Sequence, residues 1–438
     1  MVCLVVQVPW GTELSVPVRI DIGVPGRRNW IEGIMPRVPY HFVRTLLKTL
    51  IHRLLSDPVG SDGAINSGCL QSKPMGFSDF HGNTEVVLRL REMLARDRFP
   101  HAVILSGPQG AGKYTLALML TRAMNCLRSV ETDGLPDFCG TCENCRRIGE
   151  ASDLEARCAE AVEAREGLRE TDKRETRILV QPHPDVLIIP PDPPQMMIKV
   201  DQVRHVNETI RYKPAEARRK IFIFSDAAFM KEAANALLKV LEEPPEFATI
   251  LLLARNAGEL LPTIRSRCVI FTLGALPVNE IEAYLAQHRP EWNSRHRQLA
   301  ARLSAGAIGR AKSLDLEQYV AARKDALTLL TTAIRGGEHS DLFRVTETYR
   351  GGGEGKEKTD QLLSATYGLL KDLLALISGT PDLVRNTDIA TELKSLSSNI
   401  DFNWITAATQ QVGQVQSGMR RNVLRPLSLD AFALGLER

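Results

Sequence analysis

Residues 103–115 read Val-Ile-Leu-Ser-Gly-Pro-Gln-Gly-Ala-Gly-Lys-Tyr-Thr, and this stretch organises the predicted fold. The apolar residues 103–105 predict a buried strand, and a glycine-rich loop follows over residues 107–112. Lys113 begins a helical pattern of apolar residues that continues to Met124. A strand, a Gly-x-x-x-x-Gly-Lys loop and a helix in this order predict a phosphate-binding P-loop.

The chemistry of such a loop comes from its backbone, its lysine and the start of the helix. Glycines let the backbone turn tightly and direct its N–H groups at phosphate, while Lys113 adds a full positive charge. The candidate backbone positions are Gly107, Gly110 and Gly112. Tyr114 stands where the motif has a Ser or Thr that binds magnesium. Thr115 lies one residue late and is expected to point elsewhere, although it stays a candidate nucleotide-binding residue.

The composition is that of an ordinary globular protein large enough for two to four domains. Of 438 residues, 44% are hydrophobic and 24% are charged, and the net charge is +3. Charge alone therefore does not predict nucleic-acid binding, and any contact with DNA must come from a local patch. No apolar run approaches the roughly 20 residues of a membrane helix. Clustered cysteines beside a P-loop indicate a reducing compartment, so we expect a cytoplasmic protein.

Residues 1–74 differ from the rest of the chain because they are rich in Pro and Gly turns. They contain one helical pattern, near residues 41–55, and lack the charged-then-apolar design of a signal peptide. We expect this stretch to be poorly ordered, or to be an extension that the working protein lacks. Organised sequence begins at Met75.

Four cysteines after the P-loop helix predict a metal site. Cys139, Cys142 and Cys145 form a Cys-x-x-Cys-x-x-Cys pattern, which lets several thiolates converge on one ion. Cys126, at the end of the helix, is the preferred fourth ligand, and Cys158 in a charged helical stretch is the competitor. Because four protein ligands leave no open coordination position, the pattern predicts a structural zinc site.

A second buried strand, residues 220–226, ends in an acid. Asp226 takes the position of the Walker B aspartate, which holds magnesium in P-loop ATPases. The next residue should be a glutamate that polarises the attacking water, and here it is Ala227. Since alanine can neither accept a proton nor orient water, this substitution and Tyr114 together predict little or no hydrolysis.

Other segments predict structural elements without catalytic roles. Residues 150–178 have helical spacing with many charges and predict a solvated helical insert. His183 precedes a predicted strand at residues 186–189 and is interpreted as a turn residue. Asp201 is a candidate N-cap of the next helix, and residues 351–355 predict a flexible break between helices.

Two further segments are specific enough to indicate a family. They are residues 235–245, Asn-Ala-Leu-Leu-Lys-Val-Leu-Glu-Glu-Pro-Pro, and residues 260–268, Leu-Leu-Pro-Thr-Ile-Arg-Ser-Arg-Cys. With the P-loop and the cysteine pattern, these segments resemble the bacterial DNA polymerase III clamp loader, a branch of the AAA+ ATPases. The resemblance covers residues 77–314, with a weaker match near the C-terminus.

The resemblance implies roles for two arginines. In this family the Ser-Arg-Cys segment supplies an arginine finger to the ATP of a neighbouring subunit, and that role falls on Arg267. A guanidinium stabilises the charge that develops on the γ-phosphate, whereas the alternative is a surface salt bridge. Residues 304–310 match the sensor 2 region, so Arg310 is a nucleotide contact or an ordinary helix-surface arginine. The sensor 1 position, near residues 254–256, stays open.

The implied fold is an α/β P-loop (AAA+) domain with a zinc knuckle, then a small helical lid and an all-α C-terminal collar domain. The predicted ranges are 75–273 for the AAA+ domain, 274–316 for the lid and 317–438 for the collar, which would serve oligomerisation. Within the first range, the zinc knuckle spans residues 126–145 and the helical insert spans residues 150–178.

The resemblance also implies partners and cofactors. The partners are the gamma/tau and delta subunits in a hetero-pentamer, the sliding clamp and primed DNA, which the ring contacts mainly through phosphates. Zn²⁺ is the expected structural cofactor, and ATP binding is weak or absent. Tyr114 and Ala227 favour a ring member with little intrinsic hydrolysis over an ATP-hydrolysing motor subunit. A zinc-stabilised interaction protein with a vestigial P-loop is a third interpretation.

Overall fold

The computed structural model describes residues 17–21, 30–34, 76–128, 130–336, 339–350, 352–419 and 425–436. The chain divides into two compact units, Met1–Gln71 and Ser72–Arg438. In the first unit, strands β1 (Pro17–Asp21) and β2 (Trp30–Ile34) pair antiparallel. The helical pattern near residues 41–55 lies outside the described residues, and the interpretation of residues 1–74 as poorly ordered or extra stays a prediction.

The second unit contains a six-stranded sheet and a short hairpin. Its strands are β3 (Ala102–Ser106), β4 (Val130–Thr132), β5 (Leu135–Asp137), β6 (Val180–His183), β7 (Val186–Ile189), β8 (Lys220–Phe224), β9 (Ala248–Ala254) and β10 (Val269–Thr272). The sheet has the order β10-β3-β9-β8-β7-β6, and β4 and β5 form the hairpin. Neighbouring strands of the sheet are parallel except β6, which pairs antiparallel with β7. All residues of β3 and β9 are buried, which is why both strands are continuous apolar runs.

Helices cover both faces of this sheet. They are α1 (Thr84–Ala95), α2 (Lys113–Asn125), α3 (Glu143–Gly149), α4 (Leu154–Glu166), α5 (Glu170–Glu175), α6 (Val200–Thr209), α7 (Lys231–Glu242) and α8 (Pro262–Arg265). On one face, apolar side chains of α1, α2 and α3 pack with the sheet in a single core. On the other face, α6 and α7 form a second core. The predicted strand, loop and helix around the P-loop are therefore confirmed as part of a layered α/β fold.

Two details of the α/β region bear on the sequence predictions. The insert at residues 150–178 forms two separate helices, and α4 has no buried residue, as a solvated helix should. Asp201 is not the N-cap of α6, because that position belongs to Lys199. Asp201 lies in the first turn, where its carboxylate accepts hydrogen bonds from Arg177 and Arg204 instead.

The remainder of the second unit is helical. Helices α9 (Val278–His288), α10 (Ser294–Leu303) and α11 (Ile308–Ser313) share a small core. A separate, larger core joins α12 (Leu316–Arg335), α13 (Ser340–Glu347), α14 (Gly352–Ile377), α15 (Ala390–Ser397), α16 (Phe402–Met419) and α17 (Arg425–Gly435). The predicted boundary between residues 316 and 317 falls at the first residues of α12. Within the described ranges, no helix has the length and apolarity needed to cross a membrane.

The flexible break predicted at residues 351–355 is wrong over residues 352–355. Helix α14 begins at Gly352 and contains Gly353 and Gly355. The hydroxyl of Thr359 also bonds to the carbonyl of Gly355, four residues earlier in the same helix. Burial of apolar side chains further along α14 outweighs the poor helix propensity of glycine, whereas Gly351 lies outside the described residues.

Candidate nucleotide and metal sites

The loop between β3 and α2 has the geometry of a P-loop. Gly107, Gly110 and Gly112 have φ angles of +147°, +82° and +87°, which residues with a side chain rarely adopt. A β-carbon on Gly107 would lie 2.5 Å from the carbonyl oxygen of Leu273, and one on Gly110 would lie 2.7 Å from the nitrogen of Arg310. The loop therefore requires these glycines for its dihedral angles and for its close contacts.

A cavity of about 610 Å³ lies beside this loop. Lys113, Thr115 and Asp226 all line it, because β3 and β8 are parallel and end at the same edge of the sheet. The ammonium of Lys113 donates to the carbonyl oxygens of Gly107 at 2.7 Å and Pro108 at 2.8 Å. Burial lowers the pKa of Lys113, and the nearby Asp226 carboxylate opposes that change. Lys113, Thr115 and Asp226 thus meet at one cavity, together with Gly110 and Gly112.

Tyr114 and Ala227 depart from the hydrolytic motifs in the sequence, and their contacts in the structure also differ from those that hydrolysis needs. The Tyr114 hydroxyl donates to the carbonyl oxygen of Ala151 at 2.6 Å, so it bonds to the segment after α3. Burial also raises the pKa of Tyr114, which keeps the phenol protonated. Ala227 is only 8% exposed and contributes a methyl group where a general base would be needed. Thr115 is exposed and forms part of the cavity wall.

The helices after the sheet close the other side of this cavity. The backbone N–H of Gly309, in α11, donates to the carbonyl oxygen of Gly110 at 2.8 Å. Arg310 follows with its backbone against Gly110, but its side chain is exposed and the cavity wall does not include it. Lys312 is the cation that α11 contributes to the described wall. The role of Arg310 as a nucleotide contact stays a prediction.

Three wall residues were not singled out by the motifs. Arg255 follows β9, in the region left open for sensor 1, and its charge lowers the pKa of Lys113. The His81 and Tyr284 rings meet edge to face at 4.7 Å, which joins the segment before α1 to α9. Arg255 could have been found by its place after a buried strand, since strand ends line such cavities. Sequence spacing has no comparable signal for His81 and Tyr284.

The four predicted cysteine ligands converge at the C-terminal end of α2. The Sγ atoms of Cys126, Cys139, Cys142 and Cys145 all lie within 4.8 Å of one another, and those of Cys126 and Cys142 are 3.9 Å apart. Tetrahedral zinc with bonds of about 2.3 Å places its sulfur ligands about 3.8 Å apart. Cys158 lies on α4, outside this cluster. Cys126 therefore completes a possible metal site of four thiols.

The surroundings of the thiols hold the knuckle in place and shift the thiol pKa values in opposite directions. Burial raises the pKa of Cys126 and of Cys145. Burial opposes ionisation, but the N–H groups of Cys142 and Thr141 lower the pKa of Cys139 to about 6. Behind the cluster, the buried His183 ring bonds to Asn144 through Nε2 at 3.1 Å and accepts from the N–H of Asp185 at 3.1 Å. His183, interpreted from the sequence as a turn residue, is the last residue of β6, and its ring links α3 to the sheet.

Arg267 lies elsewhere, after α8, and is not part of the cavity wall. Its Nη2 atom donates to Oε1 of Glu242 at 2.7 Å, and its Nη1 atom donates to the carbonyl oxygen of Thr263 at 2.9 Å. The side chain is 34% exposed. The two segments that were most specific in the sequence therefore touch each other through this ion pair.

Comparison with known proteins agrees with these features. Residues 82–277 match the family described as DNA polymerase III, delta subunit. The chain is 30% identical over 305 residues to the DNA polymerase III subunit tau of Escherichia coli (strain K12). This chain is a relative of the AAA+ clamp-loader subunits of bacterial DNA polymerase III.

The similarity covers only part of the tau subunit. The alignment includes 69% of this chain but 37% of the Escherichia coli protein. The DNA polymerase III subunit gamma of Buchnera aphidicola is 26% identical over 286 residues, which is 63% of both chains. A solved structure of a DNA polymerase III gamma subunit-related protein from Thermotoga maritima covers 80% of this chain and 98% of its own, with 16% identity and a TM-score of 0.30.

Proposed function

We propose that this chain is the delta prime subunit of the DNA polymerase III clamp loader. It would belong to a cytoplasmic ring of five subunits, with gamma/tau and delta, that loads the sliding clamp on primed DNA. Similarity to gamma and tau subunits supports a clamp-loader role. The observation that favours delta prime over a motor subunit is Tyr114, whose hydroxyl bonds to Ala151 and is unavailable as a magnesium ligand.

In this role the chain's own cavity would hold phosphate without hydrolysing it efficiently. The loop N–H groups, Lys113 and Thr115 would contact an ATP phosphate chain, and Asp226 and Arg310 would approach it from two other elements. Hydrolysis needs a metal ligand at position 114 and a base at position 227, and Tyr114 and Ala227 provide neither. ATP would therefore bind weakly or not at all, and turnover by the isolated chain would be negligible.

The catalytic contribution of the chain would be Arg267, acting on ATP bound by the neighbouring subunit. Its partial exposure and its absence from the described cavity wall support action in trans. A guanidinium supplied in trans neutralises charge that develops on the transferred phosphoryl group. The chain would then be a stationary ring member that completes the active site of its neighbour.

The cysteine cluster would bind one structural Zn²⁺ ion. The convergent thiols fit tetrahedral coordination. Four sulfur ligands would fill the coordination sphere and leave no position for water or substrate. The ion would join the end of α2 to α3 and would take no part in ATP chemistry. Cys126, Cys139, Cys142 and Cys145 would all bind as thiolates.

The alternative is an ATP-hydrolysing motor subunit like gamma/tau. The 30% identity to the tau subunit favours it, as does the meeting of the loop glycines, Lys113 and Asp226 at one cavity. A motor would turn over ATP at about 1 per second or faster and would lose this activity on Lys113→Ala.

Steady-state ATP hydrolysis separates the two functions. We expect the isolated chain to be silent, and Arg267→Ala to lower hydrolysis at the neighbouring site of a reconstituted clamp loader about a thousandfold. Arg89→Ala is the control, because it removes another exposed, ion-paired arginine. Hydrolysis by the isolated chain that depends on Lys113, together with a complex insensitive to Arg267→Ala, would establish the motor function instead.

A further inference from the structure

Glu242 and Arg267 form an ion pair at the surface of the α/β region. The Oε1 atom of Glu242 accepts from Nη2 of Arg267 at 2.7 Å, while Thr263 accepts from Nη1. A weaker contact of 3.4 Å joins Nη1 to the hydroxyl of Ser266. The guanidinium is therefore held from two sides, by α7 and by the segment of α8.

The position of Glu242 is unfavourable for its own helix. It is the last residue of α7, where the partial negative charge of the helix end repels a carboxylate. Its side chain is 51% exposed, so the ion pair is screened by solvent and adds little to stability. Neither helix formation nor folding stability accounts for a glutamate at this place.

The presence of a glutamate at position 242 is explained if its carboxylate orients the side chain of Arg267. An arginine side chain has many rotamers, and ordering it at the moment of catalysis would weaken its effect. Each Nη atom carries two hydrogens, and the contacts with Glu242 and Thr263 use one on each. Nη1 also contacts the Ser266 hydroxyl, so it is Nη2 that retains a donor for phosphate while the plane of the guanidinium is held.

We propose that Glu242 is the positioning residue that presents Arg267 to the nucleotide of a neighbouring subunit. This inference rests on the proposed role of Arg267 as a finger acting in trans. Glu242 itself does not touch the nucleotide. It acts through Arg267, so its removal should slow the chemical step and leave the binding of ATP unchanged.

The test uses the reconstituted clamp loader and measures kcat and KM for ATP. We expect Glu242→Ala to lower kcat about tenfold or more, with KM within about twofold, because a small misplacement of a catalytic group is costly. Glu242→Gln should recover most of the rate, since the amide oxygen still accepts the hydrogen bond from Nη2. If Glu242 were merely structural, Glu242→Ala would not lower kcat selectively at an unchanged KM, and Glu242→Gln would not restore the rate.

Glu243→Ala is the matched control. It removes the same charge one residue later, and no hydrogen bond or ion pair of Glu243 is seen within the described ranges. Its kcat should equal that of the wild type. Thermal unfolding of all three isolated variants should also match the wild type, which separates positioning from stability.

Three outcomes decide the matter. A selective loss of kcat in Glu242→Ala with recovery in Glu242→Gln supports positioning by Glu242. An unchanged or increased kcat in Glu242→Ala, in a complex that still loses activity on Arg267→Ala, overturns the positioning role alone. A complex that is insensitive to Arg267→Ala overturns the proposed finger, and with it the inference.

Discussion

The two ends of helix α2 differ in how complete their candidate sites are. At the N-terminal end, the P-loop and Lys113 are in place, but Tyr114 bonds to Ala151 where a metal-binding hydroxyl is needed. At the C-terminal end, Cys126 meets three other thiols with spacings that suit a tetrahedral ion. One helix thus joins a P-loop that has Tyr114 in place of the motif's Ser or Thr to a set of four convergent thiols.

This difference indicates that the two sites serve separate purposes. The cysteine cluster packs in the core on the α2 face of the sheet, so its loss would disturb the fold itself. The P-loop also has a structural contact, because Gly110 accepts a hydrogen bond from Gly309 in α11. The P-loop therefore also connects the sheet to helix α11, whatever its part in nucleotide chemistry.

The largest effect is expected at the C-terminal end of α2, from Cys145→Ser. This change removes a buried thiol from the cluster, and we expect the metal content to fall from one equivalent per chain to near zero. Because a structural zinc ion contributes its binding energy to folding, the free energy of unfolding should fall by about 3 kcal/mol or more. Metal analysis and thermal unfolding measure the two effects.

Cys158→Ser is the control for the cysteine cluster, since Cys158 lies outside it on α4. It should keep both the metal and the wild-type unfolding temperature. A wild-type chain that is folded and free of metal would remove the basis of the comparison, because the C-terminal end would then be no more complete than the N-terminal end.

A smaller effect is expected at the P-loop, from Gly110→Ala. The new β-carbon would meet the nitrogen of Arg310 at 2.7 Å, and the φ of +82° would be strained. Gly134→Ala is the matched control, because Gly134 has a φ of +71° and no atom of the described residues lies within 4 Å of its β-carbon position. We expect backbone strain to lower the free energy of unfolding by about 1 to 2 kcal/mol in both variants.

The additional loss of unfolding free energy in Gly110→Ala then measures the contact between the P-loop and helix α11. Overpacking of this kind costs about 1 to 3 kcal/mol beyond the shared strain. Chemical denaturation of the two variants gives the difference. Equal destabilisation by the two substitutions would mean that the P-loop does not act as a connection between the sheet and helix α11.

The smallest effect is expected from Tyr114→Phe, which removes only the hydroxyl that bonds to Ala151. Loss of this hydrogen bond should lower the free energy of unfolding by about 1 kcal/mol. Nucleotide binding and hydrolysis should not change, because the hydroxyl is engaged by the carbonyl oxygen of Ala151 rather than by nucleotide or metal. Tyr212→Phe, at a tyrosine that is 70% exposed, should leave stability unaltered. An increase in ATP affinity on Tyr114→Phe would contradict this account.

Much of the candidate site followed from local patterns. The strand, the loop glycines and Lys113 were predicted because a P-loop is one continuous segment whose chemistry lies in its spacing. The Cys-x-x-Cys-x-x-Cys pattern was equally local. The choice of Cys126 over Cys158 was a preference in the sequence, and the chain fold supports it by bringing the end of α2 to the other three thiols.

Local patterns misled where burial outweighs propensity. Glycines at residues 352–355 predicted a break, but they lie in α14, whose apolar residues are buried in the core of the last helices. Asp201 is a good capping residue, yet the helix begins one residue before it and its carboxylate pairs with two arginines. Each prediction considered a short window, whereas the tertiary contacts decided the outcome.

The sequence alone determined the P-loop, its two missing hydrolytic groups and the set of thiols, because these features depend on residue type and short spacing. Only the tertiary structure decided that Tyr114 bonds to Ala151, that His81 meets Tyr284 at the cavity wall and that Arg267 pairs with Glu242. These contacts join residues far apart in the chain. They exist because the sheet order brings separate strand ends and helix ends together, which no single stretch of sequence specifies.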